Sequence, residues 1–262
     1  MPLSTEAINQ IAQTFLSTEA ENAPMKQASL DYPDYTPEDG YRVQHAVMQM
    51  LIAQGHKMVG KKAGATSAGA QQTLGVTEPL YGILLDLYQI KLGDSVPANR
   101  LIRPALESEI AFKMKKGLKG PDVTADDVLA ATESVVAAFE IADFRTHDFK
   151  PSPAEAIGVN VFARGFVLGN TMVAPDQLDL PNVKLTFNKN GEQVQTGIGS
   201  AALGHPAEAV AWVVNKLAQH NLGIEAGEIV LSGALATPYP IEAGDKFEAI
   251  FEGLGSVAVE FV

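Results

Sequence analysis

The sequence predicts a mixed α+β protein in which a helical segment precedes a β-rich region. Apolar residues recur at helical spacing within residues 1–55. From residue 56 onward, short apolar runs are separated instead by glycine, proline and asparagine. These runs do not alternate regularly with helices, which argues against a doubly wound parallel sheet. We therefore expect a helical N-terminal segment over 1–55 and a mixed β domain over 56–262.

The N-terminal segment contains two predicted helices. The first covers residues 4–22, and either Ser4 or Thr5 can cap it. The second begins at Pro37, a residue type favoured in the first helical turn, and ends at Gly55.

The β-rich region begins with a short strand and a glycine-rich loop around residue 60, followed by a short helix. Two further helices are expected, one over 124–139 with Thr124 as its cap and one starting at Pro206. Asn190-Gly191 predicts a hairpin, because this dipeptide favours the positive φ angles of a tight turn. The remaining predicted strands are "LESEIAFKM", "FEIADF", "NVFARGFVLG", "GEIVLSGAL", "DKFEAIFEG" and "GSVAVEFV".

Composition excludes several classes of function. The 262 residues carry a formal net charge of −12, which opposes binding to nucleic acid or to anionic lipid. There is no cysteine, so disulfides, zinc–thiolate sites and cysteine nucleophiles are excluded. No signal peptide is recognisable and no stretch is long and apolar enough for a membrane helix, so we expect a cytoplasmic protein.

Three glutamates interrupt apolar runs. Glu107 and Glu109 lie in "RPALESEIAF", where a strand would point both carboxylates to the same face. Glu140 interrupts a second predicted strand, "AFEIADF". Such carboxylates either point to solvent or converge on a divalent cation, for which oxygen ligands suit Mg²⁺ or Mn²⁺.

Two adjacent lysines follow an apolar stretch in "VGKKAGATS". On a strand Lys61 and Lys62 would point to opposite faces, so that one could face inward. They are either surface lysines beside a turn, or one is a cleft lysine that neutralises an acidic substrate or moves a proton.

Three further residues are candidates for substrate binding. His205 precedes a predicted helix, where histidine is more often a capping or packing residue. Ser232 and Gly233 end a predicted strand and could hold a carboxylate, or form an ordinary turn. A Gly-x-Ser-x-Gly elbow is absent, so a serine hydrolase is not supported.

Seven stretches in order resemble one family over about residues 40 to 262. They are similar to the 2-keto-4-pentenoate hydratase and 4-oxalocrotonate decarboxylase family of the fumarylacetoacetate hydrolase superfamily. The stretches are "GKKAGATS", "LGVTEPLYGILL", "RPALESEIAF", "AFEIADFR", "GSAALGHPAEAVAWVVNKLA", "EIVLSGAL" and "EAGDKFEAIFEGLGSVAVEF".

The resemblance implies a fold, a metal site and a reactive lysine. The fold would be a mixed β-roll, and Mg²⁺ or Mn²⁺ would be bound by Glu107, Glu109 and Glu140. The family's lysine corresponds to Lys62 and not to Lys61. Substrates would be short 2-oxo or 2-hydroxydienoic acids from aromatic-compound degradation.

One stretch departs from the family's pattern. Members often carry an Asp-Asn-Ala-Ser-like sequence after the third ligand, where this chain has "GVNVFARG". Asn160 is retained as a candidate substrate contact, but Val159 and Phe162 replace the acid and the serine. Apolar residues here favour a substrate without a distal carboxylate, unless Arg145 or Arg164 supplies a cation.

The resemblance leaves several activities open. Hydration of 2-hydroxypenta-2,4-dienoate to 4-hydroxy-2-oxopentanoate is the favoured expectation, and decarboxylation of 4-oxalocrotonate is the alternative. Other superfamily members hydrolyse the C–C bond of acylpyruvates. An inactive partner subunit is a further alternative, although the retained glutamates and lysine argue against it. We also expect a homo-oligomer, with or without an associated hydratase or decarboxylase.

Overall fold

The computed structural model describes residues 2–147 and 151–262. Its helices are α1 (Thr5–Ala20), α2 (Pro37–Ala53), α3 (Ala68–Leu74), α4 (Ala125–Ala131), α5 (Pro153–Gly158) and α6 (Pro206–Ala218). Its strands are β1 (Met58–Gly64), β2 (Leu80–Leu85), β3 (Gln89–Ile90), β4 (Ser95–Val96), β5 (Pro104–Met114), β6 (Thr132–Asp143), β7 (Ala163–Leu168), β8 (Lys184–Lys189), β9 (Glu192–Ile198), β10 (Ile229–Leu231), β11 (Tyr239–Pro240), β12 (Lys246–Phe251) and β13 (Gly255–Phe261).

Both N-terminal helices are present as the sequence predicts. The Ser4 hydroxyl accepts a hydrogen bond from the Ala7 N–H at the start of α1. At the start of α2, Thr36 and Asp39 form a capping box that satisfies otherwise unpaired N–H groups. Apolar residues of α1 and α2 join the same hydrophobic cluster as the strands, so the helices pack directly on the β region.

The larger sheet carries the candidate site. Its strands run in the order β2-β1-β10-β5-β6-β7-β3, and β11 extends the sheet beside β5. Most pairs are antiparallel, but β1 pairs with β10 in parallel. A strand from the C-terminal third of the chain therefore lies between β1 and β5.

A second sheet packs on the outer face of the first. Its order is β4-β13-β12-β8-β9, and β12 and β13 lie against β6. Phe139 of β6 meets Phe187 of β8 edge to face, with ring centroids 5.8 Å apart. Phe187 in turn stacks on Phe247 of β12. This aromatic contact fixes the two sheets together and leaves the opposite face of β6 for the candidate site.

Two predicted boundaries are wrong, for identifiable reasons. The helix expected over 124–139 ends at Ala131, and β6 begins immediately at Thr132. β6 is a central strand and almost all its residues are buried on both faces, so it lacks the alternation that would distinguish it from a helix. The strand expected from Asn160 begins only at Ala163, after a tight turn over 160–162.

Other local predictions are confirmed. Asn190 and Gly191 connect β8 to β9 with φ angles of 53° and 84°. Helix α6 begins at Pro206. Within the described part of the chain, no helix combines the length and apolar character needed to cross a bilayer.

Candidate metal centre

The register of β5 and β6 brings three glutamates together on one face. Glu107 lies directly opposite Glu140 across the strand pair. Glu109 lies two residues further along β5, so its side chain points to the same face as that of Glu107. One carboxylate oxygen from each of the three lies within 4.8 Å of the other two. Glu109 and Glu140 are fully buried, whereas Glu107 is half-buried and forms the accessible edge of the cluster.

Lys62 reaches this cluster from β1. It pairs with Leu231 of β10, which pairs with Ala111 of β5, so Lys62 shares the inner face of the sheet with the glutamates. Its Nζ lies 2.7 Å from Oε1 of Glu140 as an ion pair. The ammonium also donates a hydrogen bond to the Val161 carbonyl at 3.1 Å.

Two glycines leave space for the Lys62 side chain. A Cβ at Gly82 would lie 2.9 Å from Cγ of Lys62. A Cβ at Gly64 would lie 2.6 Å from the Val161 side chain, which closes the other side of this space. Glycine within a strand often marks such a close approach, so Gly82 in "LYGILL" is a sequence signal for this site.

The electrostatics of the cluster are unfavourable without a further cation. Burial, reinforced by repulsion from Glu140 and Glu107, raises the pKa of Glu109 well above its usual range. Burial also raises the pKa of Glu140 to about 7, although the Lys62 ammonium opposes this rise. Burial disfavours the charged ammonium, but the three carboxylates outweigh it and raise the pKa of Lys62. One ammonium thus faces three carboxylates.

The buried oxygens fit a divalent metal ion. Oε1 of Glu109 and both oxygens of Glu140 accept no hydrogen bond from any described residue, although Oε1 of Glu140 lies 2.7 Å from the Lys62 ammonium. Buried carboxylate oxygens without partners are costly unless they are paired or coordinate a metal. An all-oxygen donor set of this kind suits Mg²⁺ or Mn²⁺.

The loop after β10 holds one of the glutamates in place. The Gly233 N–H donates to Oε2 of Glu109 at 2.6 Å. Gly233 has a φ of +94°, and a Cβ there would collide with Thr66, so glycine is required on both counts. The neighbouring Ser232 is fully buried, and its hydroxyl has no hydrogen-bond partner among the described residues.

The turn at residues 160–162 covers the inner face of the sheet. The Asn160 amide donates to the Ile83 carbonyl and accepts from the Ile83 N–H, both at 2.8 Å. Phe162 is buried and packs on Phe144, with ring centroids 4.6 Å apart. The sequence placed Asn160 and Phe162 near the substrate, and the structure brings their turn against Lys62.

His205 and Lys61 do not join the carboxylate cluster. Nδ1 of His205 accepts the Ala207 N–H and caps α6, as histidine at a helix start commonly does. The surface interpretation of the lysines is wrong for both, because Lys61 and Lys62 are 1% and 2% exposed. Lys61 pairs with Glu228 on the opposite face of the sheet, with Nζ 2.9 Å from Oε1.

Both arginines considered as distal cations are engaged with one acid of helix α1. Nη1 of Arg145 and Nη1 of Arg164 each lie 3.2 Å from Oε1 of Glu19. Arg145 is buried and also lies 3.4 Å from Asp143. This network attaches α1 to the ends of β6 and β7.

The fold and the carboxylate cluster define a mixed β-roll protein with a candidate divalent-metal centre. The family model for the fumarylacetoacetate hydrolase C-terminal domain matches residues 89–262. The chain is 41% identical to a 2-hydroxyhexa-2,4-dienoate hydratase of Comamonas testosteroni, covering 88% of each chain. It is 37% identical to a 2-oxo-hept-4-ene-1,7-dioate hydratase of Escherichia coli, covering 96% of this chain and 97% of that protein.

A solved structure matches almost the whole chain. It is a 4-oxalocrotonate decarboxylase of Pseudomonas putida G7, complexed with magnesium and adipate, with a TM-score of 0.96 and 33% identity over 99% of both chains. The chain therefore belongs to the 2-keto-4-pentenoate hydratase and 4-oxalocrotonate decarboxylase family of the fumarylacetoacetate hydrolase superfamily.

Proposed function

We propose that this protein is a divalent-metal-dependent lyase that hydrates 2-hydroxypenta-2,4-dienoate, or a related 2-keto-4-enoic acid, to give 4-hydroxy-2-oxopentanoate. The observation that carries the proposal is the cluster of Glu107, Glu109 and Glu140 with the Lys62 ammonium against it. The relatives that are 41% and 37% identical carry the names of hydratases acting on 2-hydroxyhexa-2,4-dienoate and on 2-oxo-hept-4-ene-1,7-dioate. A role in aromatic-compound degradation belongs to the same proposal.

The three glutamates would hold Mg²⁺ or Mn²⁺, which neutralises the excess of negative charge on the inner face. When bound, such an ion supplies Lewis acidity toward the C1 carboxylate and the C2 oxygen of a 2-oxo acid. Because Glu107 is the half-buried ligand, the substrate would approach from its side.

Lys62 is the proposed catalytic residue. Its ammonium is held by Glu140 on one side and by the Val161 carbonyl on the other. In this position it would stabilise negative charge at the C2 oxygen and carry a proton there. Hydration then transfers the proton of the C2 hydroxyl to the terminal carbon C5, which gives the 2-oxo-3-enoate. Water next adds its hydroxyl to C4 and its hydrogen to C3, which accounts for all atoms of the product.

The distal end of the substrate distinguishes the two leading activities. Phe162 is buried, and Arg145 and Arg164, the two candidate distal cations, already pair with Glu19. A second substrate carboxylate would therefore need to compete for cations that the protein already uses. This favours the hydratase over decarboxylation of 4-oxalocrotonate, which the structural similarity to a decarboxylase keeps as the second candidate. His205 and Ser232 remain predicted contributors to the substrate pocket.

An ultraviolet assay tests the proposal. Freshly prepared 2-hydroxypenta-2,4-dienoate is mixed with the protein in Mg²⁺ or in EDTA, and loss of the dienol absorbance is followed. We expect Mg²⁺-dependent loss with formation of 4-hydroxy-2-oxopentanoate. The Glu109→Gln variant should lower the rate by about 10²–10³-fold or more, since it removes an electrostatic element of the site.

Three negative results of this assay would each support a different conclusion. If wild-type protein binds Mg²⁺ but leaves the dienoate unchanged, the hydratase proposal is rejected. Release of CO₂ from 4-oxalocrotonate would then support the decarboxylase. Failure to bind Mg²⁺ at all would support the inactive partner subunit. A cytoplasmic location and a homo-oligomer, with or without a hydratase or decarboxylase partner, also remain predictions. Light scattering would measure the molar mass of the assembly and so the number of subunits.

A further inference from the structure

The turn before β7 has an unusual backbone. Asn160, Val161 and Phe162 have φ angles of 57°, 49° and 64° in succession, and none of them is glycine. Left-handed dihedrals crowd the Cβ of an L-residue, and a β-branched residue such as Val161 tolerates them least. Such a conformation persists only where the surrounding structure holds it in place, and it is common at functional sites.

The Asn160 side chain is the main polar connection that holds this turn. It is fully buried, and its amide makes two hydrogen bonds of 2.8 Å to the backbone of Ile83. Strand β2 is at the edge of its sheet, so the outward backbone groups of Ile83 lack a neighbouring strand. Asn160 therefore anchors the turn to the strand that pairs with β1.

The anchored turn presents one group to the candidate site. The Val161 carbonyl accepts the hydrogen bond from Nζ of Lys62, and the Val161 side chain fills the space above Gly64. Gly82 lies close to both Lys62 and the turn. A Cβ at Gly82 would be 2.9 Å from Cγ of Lys62 and 3.1 Å from the Asn160 carbonyl oxygen. The lysine side chain therefore passes between β2 and the turn, and the position of its ammonium depends on both.

We propose that Asn160 is a positioning residue that acts through Lys62. It holds the left-handed turn against Ile83, and the Val161 carbonyl then fixes the Lys62 ammonium beside Glu140. This assigns the Asn160 side chain to the protein backbone rather than to the substrate. The inference deepens the proposed function and depends on it only for the kinetic part of its test.

Gln44 offers a matched control for Asn160. It is also a fully buried amide, and its Nε2 donates to the carbonyls of Tyr81 in β2 and Ile157 in α5. Gln44→Ala thus breaks a comparable link between the same two regions of the chain, without touching the turn that meets Lys62. We expect both alanine variants to lose similar thermal stability.

The kinetic test compares kcat and KM for Asn160→Ala and Gln44→Ala. Misplacing a catalytic group by about 1 Å costs about 10²-fold, so kcat of Asn160→Ala should fall about 10- to 100-fold with KM within about threefold. Gln44→Ala should keep kcat within about twofold of wild type. Equal losses of kcat in the two variants would reduce Asn160 to a structural residue and overturn the inference. Gly82→Ala, which crowds Lys62 without removing a hydrogen bond, should reproduce the loss of kcat if Asn160→Ala does not fold.

Crystal structures of the same variants test the inference without any turnover. We expect Nζ of Lys62 to leave the Val161 carbonyl in Asn160→Ala and to stay in place in Gln44→Ala. An unmoved Lys62 in Asn160→Ala would overturn the inference even if the protein is an active hydratase. A displaced Lys62 in a protein that hydrates no dienoate would support the inference and reject the proposed function.

Discussion

Adjacent lysines of β1 enter two very different buried environments. On the outer face Lys61 meets one carboxylate, Glu228, at 2.9 and 3.0 Å, and Glu228 also accepts the Glu225 N–H. On the inner face Lys62 meets three carboxylates, and three of their oxygens accept no hydrogen bond from any described residue. Both lysines are almost fully buried. Burial of a charge therefore does not by itself mark a functional site, whereas an uncompensated excess of one charge does.

The largest expected difference between the two lysines is in catalysis. Lys62→Met should lower kcat of the proposed hydratase by about 10²–10⁴-fold, because it removes the group that handles charge and protons at C2. Lys61→Met should keep kcat close to wild type, because Glu228 lies on the other side of the sheet. Steady-state kinetics on the dienoate, with each protein checked for folding by circular dichroism, make the comparison. A similar loss in both variants would show that the two faces are not independent.

For the free energy of unfolding, the important lysine is instead Lys61. Lys61→Met leaves Glu228 buried without its cation, which should lower the free energy of unfolding by about 3–5 kcal/mol. Urea unfolding measures this loss. The double variant Lys61→Met, Glu228→Leu should recover most of it, because a well-packed apolar pair can replace a buried ion pair. A fully stable single variant would mean that Glu228 finds another partner or takes up a proton without cost.

Removing the charge of Glu109 should have opposite effects on protein stability in the presence and in the absence of a metal ion. In EDTA, Glu109→Gln should raise the free energy of unfolding by about 1–3 kcal/mol, since it relieves burial of a repelled carboxylate. In saturating Mg²⁺ the wild type should become the more stable protein, because only it gains the full binding energy. Thermal melts in both conditions decide this, and a variant that is destabilised in both would show that the carboxylates are satisfied without a metal ion.

The smallest expected effect, counted per pH unit, is a change of stability with pH in the metal-free protein. The pKa of Glu140 is raised to about 7 in the folded state, so between its ordinary value of 4.5 and 7 the folded protein binds this proton more tightly than the unfolded chain does. Stability should therefore fall with rising pH across that interval, by about 1.4 kcal/mol per pH unit at most. Glu140→Gln should remove this slope, and urea unfolding in EDTA at several pH values would measure it. The same slope in Glu140→Gln would assign it to another group.

The sequence predicted the parts of the site better than their assembly. The cap at Ser4, the start of α2 at Pro37 and the hairpin at Asn190 follow from local chemistry, and they are present. The common face of Glu107 and Glu109 follows from strand periodicity alone. The pairing of Glu107 with Glu140 does not, because strand register depends on contacts between residues far apart in sequence.

Burial on both faces explains what local reasoning could not resolve. The sequence predicts a helix over the first part of β6, because a strand buried on both sides shows no alternation of apolar and polar residues. For the same reason residue spacing does not distinguish Lys61 from Lys62, since both side chains are buried, one on each face of the sheet. The role of Val161 was also hidden, because it contributes a backbone carbonyl that no residue type reveals.

The insertion of β10 between β1 and β5 has a consequence for how the protein is made. Lys62 pairs with Leu231, and Leu231 pairs with Ala111, so the lysine and the glutamates share one sheet only through a strand that the ribosome synthesises last of the three. Pairings between such distant segments form slowly, because long loops must close first. A nascent chain released before β10 could fold its N-terminal helices and pair β5 with β6. Its metal ligands and its lysine would still lie on separate segments, and the unpaired edges of β1 and β5 would favour aggregation.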